Sequence, residues 1–224
     1  RSITIAECLL DRQEDNALGQ DSRATRAGKR KGRRSMQETE LGAVDVAVIG
    51  SGIAGLFLAV ECARSGLSVA VVTKKEVTTS STNWAQGGIA GVLDPDDSGA
   101  LESHVEDTLR SGAGLCDEGV VRSVISEASA RIRDLIGHGV EFDHDSSGNY
   151  DMAIEGGHSG PRILHSRDRT GAEIERALTE VASGEVDSKF VILENWMAVD
   201  LIQNRHGDPS KGVSGVWCLS PEGM

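Results

Sequence analysis

A glycine-rich turn near residue 50 is the feature of the sequence that most directly suggests chemistry. It has the spacing GxGxxG, and it lies between a short run rich in β-branched residues and an apolar helical pattern. In that context the first glycine permits a tight turn, the second lets the backbone approach a pyrophosphate, and the third lets the helix pack on the strand. The helix N-terminus adds unpaired N–H groups and a partial positive charge. The sequence therefore predicts a dinucleotide-binding turn made of Gly50, Ser51, Gly52, Ile53, Ala54 and Gly55.

The residues after the second predicted strand differ from those of an ordinary NAD dehydrogenase. An acidic residue usually follows that strand and binds the ribose hydroxyls, whereas this chain has Thr73-Lys74-Lys75. The Thr73 hydroxyl or backbone can take the place of the acid. A second loop, Ser80 to Gly88, is rich in hydroxyls, amides and glycine, and such a loop can hydrogen-bond a pyrophosphate; a flexible polar loop is the alternative. Together these features argue against NAD and favour a cofactor held by a longer second loop.

The apolar periodicity predicts the elements that position these residues. A buried strand, a helix closed by Gly66 and a second buried strand form a βαβ unit. Thr170 and Glu173 have the spacing of a capping box at the start of a later helix. The fold class is therefore α/β with a parallel sheet and a β-hairpin, and the chain stops soon after that hairpin. The predicted strands are 44–49, 68–72, 190–193, 198–202 and 213–219, and the helices are 53–64, 117 to 137 or 139, and 170–184.

Composition excludes several classes of function. The 224 residues carry a net charge of −12, which argues against nucleic-acid binding by the chain as a whole. The longest uncharged stretch, Val46 to Val60, is too short to span a membrane. The four cysteines are far apart and the six histidines lack metal-ligand spacing, so we predict no disulfide scaffold and no metal site.

The first forty residues have a different charge balance from the rest. They carry 9 basic and 7 acidic residues, and the stretch from Ser22 to Ser35 has seven Lys or Arg and no acid. We predict residues 1–40 as a basic, disordered leader and 41–224 as the folded domain. An organelle-targeting leader, a tail that contacts nucleic acid or anionic membrane, and a solvated linker are the three interpretations. The acids before Ser22 weigh against the first.

Taken together, these motifs resemble the L-aspartate oxidases, within the fumarate reductase and succinate dehydrogenase class of flavoproteins. A Thr-Lys or Ser-Lys pair after the second strand is typical of that class and accounts for the missing acid. The resemblance implies a Rossmann-like FAD-binding domain and an enzyme that oxidises L-aspartate to iminoaspartate, the first step of de novo NAD biosynthesis. Electrons would pass to oxygen, giving peroxide, or to fumarate, and the enzyme would be coupled to quinolinate synthase. The segments that carry the resemblance are GSGIAG at 50–55, TK at 73–74, STNWAQGGIA at 81–90, SHVEDTLRSGAGLCDE at 103–118, EGGHS at 155–159 and RILHSRDRTGAEIE at 162–175, within about residues 44 to 220.

The resemblance also assigns the FAD contacts. Succinate dehydrogenase has a histidine covalently joined to flavin at the position of Ser81, so a serine there implies noncovalent FAD. The positions carried over are Ser51, Gly52, Ile53, Ala54, Lys74, Ser81, Thr82, Asn83, Trp84, Ala85, Gln86, Gly87 and Gly88.

Two residues of the EGGHS segment are the predicted substrate-binding residues. Aspartate and succinate differ by one ammonium group, which the carboxylate of Glu155 would attract; a surface loop acid is the alternative. His158 is the second candidate. His158 and His165 can each instead be a hydrogen-bonded core histidine, and Arg162 can serve a substrate or flavin anion or form a plain salt bridge.

The resemblance leaves the catalytic residues outside this sequence. The family's catalytic arginine, substrate histidines and capping domain are expected beyond residue 224, so we expect the 224-residue chain alone to be inactive and to bind FAD poorly. Ile154, Gly160 and Pro161 stand where the family more often has basic residues or histidine, which bears on the substrate. A succinate dehydrogenase or fumarate reductase flavoprotein subunit and a noncatalytic FAD-binding remnant are the alternatives. The basic leader predicts a plastid location if the source is a plant or alga, and the cytoplasm otherwise.

Overall fold

The protein is described here by a computed structural model that covers residues 3–9, 37–185, 189–205 and 207–222. Its described part is built on an α/β plan with three small sheets. The strands are β1 (Ile3–Leu9), β2 (Gln37–Val44), β3 (Val46–Ile49), β4 (Val69–Thr73), β5 (Ile89–Ala90), β6 (Met152–Ala153), β7 (Ile163–Leu164), β8 (Phe190–Glu194), β9 (Met197–Gln203) and β10 (Val213–Leu219). The helices are α1 (Ile53–Arg64), α2 (Ser98–Ser111), α3 (Glu118–Gly137) and α4 (Thr170–Glu185), with 3₁₀ turns at Thr82–Trp84 and Pro209–Lys211.

The parallel sheet has the order β3-β4-β8, so the predicted βαβ unit is confirmed. All five residues of the central strand β4 are buried, because helices or other strands cover both of its faces. Its register pairs Val69 with both Val46 and Phe190. The carboxyl ends of β3 and β4 therefore lie side by side, immediately before the glycine turn and the Thr73-Lys74 pair.

The main core lies between this sheet and helices α1 and α4. On α1 the side chains of Leu56, Ala59 and Val60 are fully buried, at the spacing of one helix face. Leu178 of α4 and Phe190 of β8 pack in the same cluster, as does the inner face of α3. This core fixes the N-terminus of α1 relative to α4, which matters for the loop that lies between them.

A second sheet has the order β2-β1-β10-β9. The predicted hairpin is confirmed, because β9 and β10 pair antiparallel. Strand β1 runs parallel to β10, and β2 runs antiparallel to β1. Strand β1 and the first residues of β2 therefore lie before the predicted domain boundary at Leu41. The division into a leader at 1–40 and a folded domain at 41–224 stays a prediction. The basic stretch from Ser22 to Ser35 lies outside the described residues, and its role stays a prediction.

Helix α2 was not predicted from the sequence. The side chain of Asp97 caps it by accepting a hydrogen bond from the Ala100 N–H at 2.9 Å. Its buried residues are His104, Val105 and Asp107. Since two of these three are polar, the apolar periodicity that marks an amphipathic helix is weak here. No helix in the described ranges is long and apolar enough to cross a membrane.

The capping box predicted at the start of α4 is wrong, although the helix itself is confirmed. The Thr170 hydroxyl accepts a hydrogen bond from the Ser166 N–H at 3.0 Å, from the preceding turn. The Glu173 carboxylate accepts one from the Glu141 N–H at 3.0 Å. Both side chains are thus used to fasten neighbouring segments to α4, and tertiary partners have replaced the local cap.

Candidate cofactor and substrate site

A crevice of about 380 Å³ opens at the carboxyl ends of β3 and β4. In open α/β sheets this edge is where ligands bind, because loops of consecutive strands diverge there. The crevice is formed by the glycine turn, the end of β4, the second loop and the start of β9. Its lining residues are Ile49, Gly50, Ser51, Gly52, Val72, Thr73, Lys74, Thr79, Ser80, Ser81, Thr82, Trp196, Met197 and Ala198.

The glycine turn has the geometry that its spacing predicts. Gly50 has φ +104°, in the region that favours glycine, and its N–H donates to the Val72 carbonyl at 2.9 Å. A Cβ atom at Gly55 would lie 2.0 Å from the Gly50 carbonyl oxygen, so only glycine fits at this approach of α1 to the turn. Gly52 is the N-terminal cap residue of α1. The turn thus presents backbone and the N-terminus of α1 to the crevice.

Ser51 and Thr73 join the turn to the end of β4. The Ser51 hydroxyl donates to the Val77 carbonyl at 2.9 Å and lies 3.0 Å from the Thr73 hydroxyl. Both side chains are buried. Since Ser51 donates to Val77, Thr73 donates to Ser51, and its hydroxyl is occupied within the protein. Lys74, by contrast, is exposed and lines the crevice.

The second loop is fastened on both sides and therefore differs from a flexible polar loop. The Thr82 hydroxyl accepts a hydrogen bond from the Ile53 N–H at 3.0 Å, in the first turn of α1. On the other side, the Gly171 N–H of α4 donates to the Ala85 carbonyl at 3.0 Å. A Cβ atom at Gly171 would lie 1.8 Å from the Thr82 carbonyl oxygen. The loop is thus held closely between the N-termini of two helices.

The predicted run Ser81 to Gly88 divides between three places. Ser81 and Thr82 line the crevice. Asn83 to Gln86 line a neighbouring hollow of about 410 Å³, in which the Trp84 side chain is 74% exposed. Gly88 packs against β7, where an added Cβ would lie 2.3 Å from the Leu164 carbonyl oxygen. Of the predicted run, then, only its first two residues share the crevice with the glycine turn.

A buried carboxyl that the sequence did not single out lies behind the second loop. Glu175 of α4 is 1% exposed, and its Oε2 accepts a hydrogen bond from the Ser80 hydroxyl at 2.9 Å. Its Oε1 is buried without a hydrogen-bond partner among the described residues. Burial raises the pKa of the Glu175 carboxyl, and the bond from Ser80 offsets only part of that effect. The residue is adjacent to the apolar Ile174, and no local pattern distinguishes it from a surface acid.

The predicted substrate residues lie on one turn beside the second loop. The His158 N–H donates to the Glu155 carbonyl at 3.1 Å and closes the turn. Glu155 is exposed, and its carboxylate lies beside Gly87, where an added Cβ would be 3.6 Å from Oε1. The antiparallel pairing of β5 and β7 brings these segments together. The predicted substrate turn and the predicted cofactor loop are therefore neighbours in space.

Arg162 forms a buried ion pair. Its Nη1 donates to Asp107 Oδ2 at 2.7 Å, with the two residues 4% and 3% exposed. Of the three interpretations of Arg162, the salt bridge is the one that the structure contains. His165 is a hydrogen-bonded histidine of the fold, since its Nδ1 lies 3.1 Å from Asp143 Oδ2.

The segment that contains Ile154, Gly160 and Pro161, the three positions that differ from the family pattern, is partly open to solvent. Ile154 is exposed, and Gly160 and Pro161 line a hollow of about 470 Å³ with Ser159 and Arg162.

Within the described residues, no group of three or more His, Cys, Asp or Glu side chains could hold a metal ion.

Comparison with known proteins points to one family. A family model described as an FAD binding domain matches residues 45–224. L-aspartate oxidase (chloroplastic) of Arabidopsis thaliana is 50% identical over 163 residues, which cover 73% of this chain and 24% of that protein. L-aspartate oxidase of Streptomyces coelicolor is 43% identical over 166 residues, covering 74% and 28%. The chain thus spans about a quarter of the length of these curated relatives.

Solved structures agree on the fold. The Mycobacterium smegmatis Sdh1 complex in the apo form matches with a TM-score of 0.68 and 30% identity, covering 79% of this chain and 32% of that one. The E. coli quinol fumarate reductase FrdA with the E245Q mutation matches with a TM-score of 0.67 at 23% identity, covering 79% and 31%. The second similarity supports the fold alone.

Proposed function

This chain belongs to the FAD-binding domain family, and we propose that it forms the FAD-binding part of an L-aspartate oxidase. The enzyme would oxidise L-aspartate to iminoaspartate, with oxygen or fumarate as electron acceptor, as the first step of NAD biosynthesis. Identity of 43–50% to L-aspartate oxidases from plants and a bacterium supports the proposal. The observation that carries it is the position of the Glu155 carboxylate against Gly87 of the cofactor loop.

The crevice fits the diphosphate part of FAD. Gly50 and Gly52 leave the backbone of the turn bare, and a side chain at Gly52 would meet the Thr82 hydroxyl at 3.3 Å. The N-terminus of α1 supplies N–H groups and a partial positive charge to an anion there. The exposed Lys74 adds a cation at the same edge. FAD, when bound, supplies the hydride acceptor, and the protein's part is to position the substrate and set the charge around it.

We propose that FAD is bound without a covalent bond. Ser81 lines the crevice. By the family resemblance it stands where succinate dehydrogenase has the histidine that is covalently joined to flavin, and a serine hydroxyl lacks the nucleophilic ring nitrogen. Acid precipitation of the full-length flavoprotein tests this directly. All of the flavin should appear in the supernatant, and a yellow pellet that stays yellow after washing would contradict the proposal.

Glu155 would distinguish aspartate from succinate. A carboxylate about 4 Å from an ammonium group contributes about 4 kcal/mol at an effective dielectric of about 20, before the cost of desolvation. Succinate has no ammonium group and gains nothing from this charge. His158, on the same turn, would donate a hydrogen bond to a substrate carboxylate.

Aspartate-dependent peroxide release by the full-length protein is the decisive assay. Glu155→Gln and Glu155→Phe should each lower the preference for aspartate over succinate, measured as the ratio of kcat/KM values, by about tenfold or more. Glu127→Gln, an exposed acid on α3, is the matched control and should leave the ratio unchanged. Wild-type preference in both Glu155 variants would refute the assigned role. Oxidation of succinate but not of aspartate by the wild type would instead favour a succinate dehydrogenase flavoprotein, and bound FAD without turnover of either would favour a noncatalytic remnant.

We also propose a plastid location and coupling to quinolinate synthase. Relatives from tobacco, Arabidopsis and rice carry the word chloroplastic in their names, which supports the plastid. A fluorescent protein fused after residue 40 should enter plastids in plant cells, whereas a cytosolic signal would contradict this location.

A further inference from the structure

We propose that the buried Asp107–Arg162 pair is a positioning device for the substrate turn, which it holds in place while fixing His158 as an Nε2–H donor. The inference rests on the proposed function, because it assumes that the Glu155–His158 turn contacts the substrate. It concerns Asp107 of helix α2, to which the sequence analysis gave no role, and Arg162, for which a salt bridge was one of the interpretations.

The turn is attached to α2 through Asp107. Its Oδ2 accepts hydrogen bonds from the Ser159 N–H, the Ser159 hydroxyl and Arg162 Nη1, each at 2.7 Å. Its Oδ1 pairs with Arg110. The bonds from Arg162 first, and then those from Ser159, hold the pKa of the Asp107 carboxyl well below its ordinary value. Asp107 is therefore ionised at neutral pH and can only accept.

Arg162 is held in turn by the small sheet. Its N–H donates to the Ala153 carbonyl at 3.2 Å, and its carbonyl accepts from the Gly91 N–H at 2.8 Å. Both segments flank strands of that sheet, β5 and β6. The ion pair thus joins α2 to the small sheet, whose strands β6 and β7 precede and follow the substrate turn. Ser159 connects the turn to the pair.

The direction of every hydrogen bond in this network follows from its chemistry. Arginine can only donate and a carboxylate can only accept. Ser159 donates its hydroxyl proton to Asp107, so the Ser103 hydroxyl, 2.7 Å away, donates to Ser159. Ser103 in turn accepts from Arg162 Nη2 at 3.2 Å. No alternative arrangement of protons satisfies these groups, which indicates a rigid support.

The same rule fixes the tautomer of His158. Arg162 Nη1 lies 3.3 Å from His158 Nδ1, so that nitrogen must accept and the ring proton must be on Nε2. A second guanidinium proton of Nη1 remains for Asp107. His158 would consequently offer its Nε2–H as a donor to a substrate carboxylate.

The other titratable groups near His158 do not replace it as the hydrogen-bond donor to a substrate carboxylate. His104 of α2 lies with its ring centroid 5.6 Å from that of His158, and its Nδ1 is buried without a partner in the described part of the chain. Burial lowers the pKa of His104, and the nearby Arg162 and His158 lower it further. Glu155, on the turn itself, and Asp107 are the acids around this cluster, and Asp107 is already paired.

Substitution of the arginine tests the inference in the full-length protein. Arg162→Met keeps a side chain of similar length but removes the donors. We expect KM for aspartate to rise about tenfold with FAD content unchanged, because the turn loses its support while the crevice does not. We also expect the His158 ring to lose its fixed Nε2–H tautomer, because Arg162 no longer donates to Nδ1. Arg162→Lys should restore part of the affinity.

Arg122→Met is the matched control. Arg122 also pairs with carboxylates, those of Glu102 and Glu118, but on the exposed surface. This variant should leave KM and the His158 tautomer unchanged, since exposed ion pairs contribute little.

A spectroscopic measurement keeps the inference testable even where Arg162→Met folds poorly. In wild-type protein labelled with ¹⁵N-histidine, His158 should show an unprotonated Nδ1 and a protonated Nε2, with its signal assigned through His158→Gln. A proton on Nδ1, or an unchanged KM in a well-folded Arg162→Met, would overturn the inference. Failure of the wild type to oxidise aspartate would instead count against the proposed function, and the tautomer would still be read independently.

Discussion

Replacing Gly171 by alanine tests whether the close contact between α4 and the second loop builds the cofactor crevice. The added Cβ would lie 1.8 Å from the Thr82 carbonyl oxygen, 2.8 Å from the Ala85 Cβ and 2.9 Å from the Ala85 carbonyl oxygen. Ordinary contact begins near 3.4 Å, so helix and loop must separate by about 1.6 Å. Overpacking of this kind costs about 1–3 kcal/mol. The loop would also draw the Thr82 hydroxyl away from the Ile53 N–H, so FAD should bind about tenfold more weakly or worse.

Gly184→Ala, in the same helix, is the control for this change. Nothing lies within 4 Å of its added Cβ, so the substitution should raise stability by about 0.5–1 kcal/mol through helix propensity. Urea unfolding of the full-length apoprotein, followed by tryptophan fluorescence, measures both free energies, and flavin fluorescence quenching gives the FAD affinity. If Gly171→Ala matched Gly184→Ala in both measurements, the contact would not shape the site.

Two further predictions concern the buried acids. Glu175→Gln should leave stability nearly unchanged near pH 4.5 but should make the protein increasingly more stable than wild type as the pH rises. The reason is that the raised pKa of Glu175 makes the folded wild type retain a proton that the unfolded chain releases above about pH 4.5, and glutamine abolishes this dependence. Asp107→Asn should destabilise the protein at neutral pH, and its deficit should shrink below about pH 3.8, because the stability contributed by a carboxyl with a lowered pKa is lost as it is protonated. Urea unfolding between pH 3 and 9 measures both, and parallel pH profiles of variant and wild type would contradict either prediction.

The backbone framework of the cofactor site could be predicted from local sequence. The strand, glycine turn and helix of the βαβ unit have short-range signals, since β-branched runs, glycine spacing and apolar periodicity are all read within about thirty residues. The observed bounds of α1, Ile53–Arg64, agree with the predicted ones. Gly55 shows why the motif is informative. A Cβ atom at this position would lie 2.0 Å from the Gly50 carbonyl oxygen, so only glycine fits.

The support of the substrate turn could not be predicted in the same way. Asp107 and Arg162 are 55 residues apart, and no periodicity links them. Helix α2 was not predicted because its buried face carries the polar residues His104 and Asp107, the second of which forms that ion pair. Apolar residues at these positions would have given the periodicity of an amphipathic helix. Likewise, Thr170 and Glu173 had the spacing of a capping box, but tertiary partners were available to both. Local patterns fail where side chains are used to connect distant segments.

The two buried acids differ in the sign of their pKa shifts, and this difference matches what each end of the site is proposed to bind. Glu175 lies behind the cofactor loop with a single hydroxyl partner, so burial dominates and the neutral form is favoured. A pKa shift in this direction reduces the negative charge that the carboxyl would place near the diphosphate of a flavin nucleotide. Asp107 lies behind the substrate turn with an arginine partner, so its charge is kept and orders the turn. Glu155 is exposed on that turn, and its charge would attract the ammonium group of aspartate.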